Sequence, residues 1–227
     1  MKELGIKKNF LAIDKKYSNY KESKIVIISA PLEKTVSYGK GTSRGPEEIL
    51  EASHYVEFYD EEQNRELCFE KGICTLEPLN LQKLSIEKSI EKIYKEVNSH
   101  IKAGKFVVTL GGEHSLSVAP IKAHHEHYSN LSILQIDAHS DLRESYEGSK
   151  YSHASTMARV AEINPNIVQV GVRAQSIEEV DLRREKQIKT FYAREIKLGM
   201  YGDNWQENVN RTLTDNVYIT FDVDGFD

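Results

Sequence analysis

Apolar and polar residues alternate along this chain in short blocks. Lys24 to Pro31, "KIVIISAP", predicts a buried strand that stops at the proline. Gly41 to Ser53, "GTSRGPEEILEAS", predicts a glycine-bearing loop and then a helix. Pro46 suits a first helical position there, and Ile49, Leu50 and Ser53 fall on one side. The clearest helix is predicted over Ser85 to Lys105. Ile86, Ile90, Ile93, Val97 and Ile101 recur in it at three- and four-residue steps, and Gly104 stops it. Further strands are predicted at Phe106 to Leu110, Leu131 to Asp137, Asn166 to Val172, Ile188 to Ala193 and Asn216 to Asp224. Helices are predicted between them at Ser115 to Tyr128, His153 to Ile163, Ser176 to Lys186 and Asn204 to Leu213, with Pro120 placing a kink or a late start. The tract Glu57 to Leu67 is charged and predicted to be solvent-exposed. Short strands alternating with helices imply βαβ units, a parallel sheet and helices on both faces.

Composition narrows the class. The chain has 227 residues, of which 39% are hydrophobic and 29% charged, so a core can form and a single domain is expected. Net charge is −5, and there is no basic face for nucleic acid. A mildly acidic surface suits a small cationic substrate. Cys68 and Cys74 lack CxxC spacing and read as free thiols of a reducing compartment. The N-terminus lacks the apolar run of a signal peptide, and nothing reaches the ~20 apolar residues of a membrane span. The expectation is a soluble cytoplasmic protein.

In parallel sheets, ligands gather beyond the carboxyl ends of the strands. Three predicted strands end in metal-ligand residue types. Phe106 to Leu110 is followed by Gly111-Gly112-Glu113-His114-Ser115. Leu131 to Ile136 is followed by Asp137, His139 and Asp141, and the last strand ends in Asp222, Asp224 and Asp227. Residues two apart in an extended chain share a face, so each set can converge. A lone His114 reads as a hydrogen-bonded loop residue and a lone DxD as a turn. Together, however, aspartates and histidines at one sheet edge repel and stay costly without cations. A pair of divalent metals compensates them. Oxygen-rich ligation with a minority of imidazole and no thiolate suits Mn²⁺, and dinuclear sites activate water for attack. "HHEH", His124 to His127, carries no organising partner and is expected to face solvent.

At these residues the chain resembles the arginase–agmatinase (ureohydrolase) family, through "GGEHS", "DAHSD" and "TFDVDGFD" in the family's order. "GTSRGPEEI" resembles the family's glycine-rich segment near its N-terminal substrate-side loop, and "DLRESYEGSKYSHAST" resembles the agmatinase type. The resemblance implies a three-layer α/β/α fold with a central, mainly parallel sheet. It also implies a small cationic guanidino substrate and two Mn²⁺ ions. His114, Asp137, Asp141 and Asp222 would bind one ion. Asp137, His139, Asp222 and Asp224 would bind the other, with Asp137 and Asp222 bridging.

Asp141 would also act in catalysis, and His153 would relay protons or polarise the substrate. Asp227 would be structural and hold the last loop. Thr220 stands where many members have serine, and Glu113 where many have aspartate. Arg143 is expected to be structural, pairing with Glu144 or Glu147.

The reaction implied is hydrolysis of a guanidino group to urea and an amine, agmatine to putrescine first, within polyamine biosynthesis. Guanidinobutyrate, formimidoylglutamate or aminopropylagmatine are the alternative substrates, and a non-catalytic metal-binding member is the alternative role. A homo-oligomer, trimer or hexamer, is implied. The family's pattern runs on past Asp227 with a further strand–helix section carrying an acidic substrate-binding residue. Relative to that pattern the single domain over 1–227 is C-terminally incomplete and leaves a sheet edge uncovered.

Overall fold

The computed structural model describes residues 2–226, so Asp227 lies outside the described residues. The chain divides into two compact units, Met1–Leu116 and Ser117–Asp227. Every strand ladder is parallel.

The first unit carries β1 (Ile25–Ala30), β2 (Ile73–Thr75) and β3 (Phe106–Gly111) in the order β2-β1-β3. Its helices are α1 (Lys15–Ser18), α2 (Gly45–Ala52), α3 (Leu67–Lys71) and α4 (Ile86–Lys102). The long helix α4 forms as its apolar spacing predicts. Ser85 caps it by accepting the Lys88 N–H, and Ile93, Val97 and Ile101 are buried along one face. Pro46 lies in the first turn of α2, where its missing N–H costs nothing. Leu11, Ile13, Ile27, Leu50, Cys68 and Ile73 form one core cluster. The tract from Glu57 to Glu66 is largely exposed, as its charge predicts. Both cysteines are free and buried, and burial pushes the Cys74 thiol up to about 11.

The second unit carries β4 (Leu131–Ile136), β5 (Ile167–Val170), β6 (Lys189–Phe191) and β7 (Asn216–Phe221), ordered β6-β5-β4-β7. Its helices are α5 (Val118–His125), α6 (Thr156–Ile163), α7 (Ile177–Glu185), α8 (Ala193–Lys197) and α9 (Trp205–Asn210). Pro120 is the third residue of α5, so the helix starts late and is not kinked. Ser176 and Glu179 form a capping box at the start of α7. Ile121, Ile133, Leu142, Met157 and Ile188 are the largest fully buried apolar side chains of one core cluster, and Val168, Val170, Phe191 and Val209 make another. At the sheet edge, β7 pairs only with β4 among the described residues, and Val217, Ile219 and Phe221 remain 37%, 58% and 45% exposed. Among the described residues no helix is long and apolar enough to cross a membrane.

Candidate metal centre

In the first unit, β3 delivers His114 through two glycines. A Cβ on Gly112 would lie 2.0 Å from the Leu32 carbonyl oxygen, so only glycine lets the two backbones approach. His114 is buried and opens a 3-10 turn, His114–Ser117. Its neighbour Glu113 is buried as well, and its carboxylate accepts from the backbone N–H groups of Lys34 and Thr35 (2.6 and 2.7 Å) and the hydroxyls of Thr35 and Ser115 (3.0 and 2.6 Å). Glu113 therefore ties the loop after β1 to the segment that carries His114.

The same loop is held a second time by Glu33. Its carboxylate accepts from Gly41 N–H (2.9 Å) and from the N–H and hydroxyl of Ser43 (3.0 and 2.6 Å). The Ser43 hydroxyl first, then the Ser43 and Gly41 N–H groups, hold its acid down at about 2. A carboxylate depressed in the fold stabilises above its unfolded pKa, and that contribution is lost as pH falls through the folded value. Glu33→Gln is thus expected to lower the thermal midpoint at pH 7 and to differ progressively less from the parent between pH 5 and 2. A difference that stays constant across that range would contradict the assignment.

In the second unit, β4 and β7 run side by side with Ile136 opposite Phe221, so Asp137 and Asp222 leave the sheet at the same level. Asp137 is 1% exposed. Its carboxylate accepts from the His139 N–H at 2.7 Å and from Gln135 Nε2 at 2.8 Å. His139 Nδ1 lies 3.0 Å from Asp224 Oδ2 and 3.7 Å from Asp137 Oδ1, so Asp137, His139 and Asp224 converge. Asp141 also brings a carboxylate oxygen within 4.8 Å of Asp137. Asp222 caps a 3-10 turn, Val223–Gly225, by accepting the Asp224 N–H.

Burial first, then the Asp222 carboxylate, pushes the Asp224 acid up. The Ala138 N–H and His139 pull against this, and Asp137 adds to it. Carboxylates gathered around one imidazole, with the Asp224 acid pushed up by burial and by its neighbours, are the donor chemistry of a hard divalent cation site, and these residues fit one.

The surrounding loops hold the backbone on which these side chains stand. Asp141 has φ 52°, the left-handed region that Asp tolerates better than most residues. Its carbonyl accepts from Met157 and Ala158 at the start of α6 (2.9 and 3.2 Å). Buried Glu179 accepts from the Ser140 hydroxyl and the Leu142 N–H, both at 3.0 Å, on either side of Asp141. Arg173, exposed, donates to the carbonyls of Asp224 (2.7 Å) and Phe226 (3.0 Å) and so holds the last loop. That role was expected of Asp227, which lies outside the described residues.

Two expectations are corrected. Arg143 pairs at 3.8 Å with Glu179, not with Glu144 or Glu147, and stacks 5.2 Å over Tyr146, because the chain folds α7 back onto its loop. Glu144 instead binds Arg159 and Lys150. His124 does not face solvent. It is half-buried, bonds the Pro120 carbonyl at 2.7 Å and packs on Tyr218, because α5 turns that side towards the sheet. His127 is exposed as expected.

His153 opens a 3-10 turn, His153–Ser155, half-buried and edge-on to Tyr146 with ring centroids 5.7 Å apart. Thr220 is buried and shares a hydrogen bond of 3.0 Å with Ser117, which makes use of the hydroxyl. Gln135, Gln169, Glu179, Arg173 and Tyr146 were not singled out by the sequence.

Parallel strands ending in carboxylates and imidazoles that could hold a metal ion define the class as an α/β protein. Comparison with known proteins carries this further: the arginase family model matches residues 23–227, and the chain belongs to that family. It is 37% identical over 216 residues to an N(1)-aminopropylagmatine ureohydrolase of Synechocystis, spanning 92% of this chain and 70% of that protein. It is 34% identical to an agmatinase of Bacillus anthracis, over 94% of this chain and 72% of that protein. Among solved structures, the agmatine ureohydrolase of Thermoplasma volcanium superposes with a TM-score of 0.83 at 30% identity, over 92% of this chain and 70% of that one.

Proposed function

We propose that this protein hydrolyses the guanidino group of a small cation to urea and an amine, with agmatine yielding putrescine as the leading case. The family match over residues 23–227 carries the reading, because it spans all three ligand-bearing strand ends. Two manganese ions would be held by His114, Asp137, Asp141 and Asp222 on one side, and by Asp137, His139, Asp222 and Asp224 on the other. A guanidinium is resonance-stabilised, so its carbon is a poor electrophile and needs a strong nucleophile. When bound, the ions would supply Lewis acidity, which lowers a water's pKa towards about 7.

The chain's own residues do the rest. Asp141 accepts a hydrogen bond from the nucleophile and passes its proton to the leaving amine. His153 carries protons between the site and bulk water. The reading places the enzyme in the cytosol, in polyamine formation, as a trimer or hexamer.

Urea release tests the reading, with Mn²⁺ and agmatine, N(1)-aminopropylagmatine, arginine and guanidinobutyrate in parallel. Urea from agmatine ahead of arginine and guanidinobutyrate is expected, and no urea from any of the four would sink the hydrolase. N(1)-aminopropylagmatine is the second reading, favoured by the ureohydrolases of Synechocystis and Thermus thermophilus at 37% and 36% identity. His153→Asn is expected to slow turnover about a hundredfold while leaving manganese content unchanged. Equal loss of both would contradict the proton-carrying role.

A further inference from the structure

Three polar side chains stand in one row across the sheet of the second unit. The parallel register sets Gln135 of β4 opposite Gln169 of β5, and Gln169 opposite Thr190 of β6. Both glutamines are 0% exposed. A buried amide is costly unless its donors and acceptors are matched, and Val or Ile would fill a buried strand position without that demand. These two amides sit among Ile133, Ile167, Val168 and Val170, all buried and apolar.

Their hydrogen bonds run in one direction. Thr190 Oγ1 donates to Gln169 Oε1 (2.9 Å), and Gln169 Nε2 donates to Gln135 Oε1 (2.7 Å) and to the Ser140 carbonyl (2.8 Å). Gln135 Nε2 then donates to Asp137 Oδ2 (2.8 Å) and to the His139 carbonyl (3.2 Å). Turning Gln135 over would set its oxygen against a carboxylate and a carbonyl, so the Asp137 end fixes the sense of the row. Gln169 is fixed likewise, since its Nε2 faces two acceptors. Hydrogen bonds in such a chain polarise one another, and each here aims a donor towards Asp137. The row also grips the backbone at His139, a proposed ligand, and at Ser140, which lies between His139 and Asp141.

We propose that Gln135 and Gln169 are positioning residues: acting in series, they fix the rotamer of Asp137 and the path of the loop from His139 to Asp141, and so set how tightly the metal pair is held. The proposal rests on the dimanganese reading. Gln169 is the informative member, because among the described residues its side chain bonds Gln135, Ser140 and Thr190 and none of the proposed ligands. Partners one step removed from metal ligands typically change affinity about 10–100-fold when removed.

The test is an electron paramagnetic resonance titration of the full chain with Mn²⁺, together with thermal melts of the metal-free protein. It compares the parent, Gln169→Met, Thr190→Val and Thr190→Ser. The parent spectrum is read first: a parent that takes up no exchange-coupled manganese pair overturns the dimanganese reading itself. With the pair present, Gln169→Met is expected to weaken uptake about tenfold and to convert part of the coupled signal to isolated Mn²⁺. Thr190→Val should produce a smaller loss in the same direction, and Thr190→Ser should restore the parent spectrum. If Gln169→Met does not fold, the two Thr190 variants decide the matter. Unchanged uptake in both Gln169→Met and Thr190→Val overturns the proposal. So does a Thr190→Val loss that serine does not restore, or a loss of uptake matched by an equal loss of metal-free stability.

Discussion

Asp137→Ala is expected to abolish the paired manganese site and lower urea release by at least about a thousandfold, since it removes the activated water altogether. The expectation follows from where Asp137 stands. It is the deepest carboxylate of the cluster, and it belongs both to the group with His139 and Asp224 and to the neighbourhood of Asp141. Its loss also leaves the Gln135 amide and the His139 N–H without the acceptor they now share. Each buried donor left unmatched costs about 1–3 kcal/mol. Against that, removing one charge relieves the repulsion that Asp137 exerts on Asp224. The metal-free fold should therefore survive far better than the metal site, and the two losses can be separated. Manganese content by mass spectrometry, read beside urea release and a metal-free melt, checks this. Unchanged manganese content would overturn the bridging assignment.

Gly112→Ala is expected to destabilise the protein by about 4 kcal/mol, at the upper end of single substitutions. The added methyl would lie 2.0 Å from the Leu32 oxygen, 2.9 Å from its carbonyl carbon and 3.0 Å from its nitrogen. All three are backbone atoms, so no side chain can swing aside. Relief would strain the bonds from Gly112 N–H to Ala30 (3.3 Å) and from Glu113 N–H to Leu32 (2.9 Å). Through Glu113 it would spread to Lys34 and Thr35. Gly104→Ala is the matched control. Gly104 has φ +72° but open space around it, so only the left-handed backbone is penalised, by about 1 kcal/mol. Urea denaturation of both variants tests the difference, and a Gly112→Ala cost no larger than that of Gly104→Ala would contradict the clash.

Much of the strand-end chemistry is legible because two signals coincide there. An unbroken apolar run such as Leu131 to Ile136 marks a buried strand, and the abrupt change to Asp137, His139 and Asp141 marks its end. Strand β2 was missed because Ile73 to Thr75 is too short to show any period, and α3, Leu67–Lys71, is too short as well. The row of Gln135 and Gln169 was not legible for a different reason. A polar residue in a strand normally reads as facing water, and only the parallel register, which pairs positions 34 residues apart, shows that each amide has the other for a partner. Glu179 was half legible. Its capping box with Ser176 follows from a spacing of three, but its other oxygen reaches Ser140 and Leu142 across separations of 39 and 37 residues. Arg143 was paired with the wrong acids because adjacent glutamates are visible in a sequence and a distant helix is not.

The left-handed backbone at Asp141 bears on the thermodynamics of metal uptake. Freezing one residue into a single backbone well costs about 1–2 kcal/mol of entropy at room temperature. At Asp141 that ordering is completed when Met157 and Ala158, the second and third residues of α6, donate their N–H groups to its carbonyl. The configurational entropy of this segment is therefore lost during folding, and none of it is left to oppose the arrival of a cation.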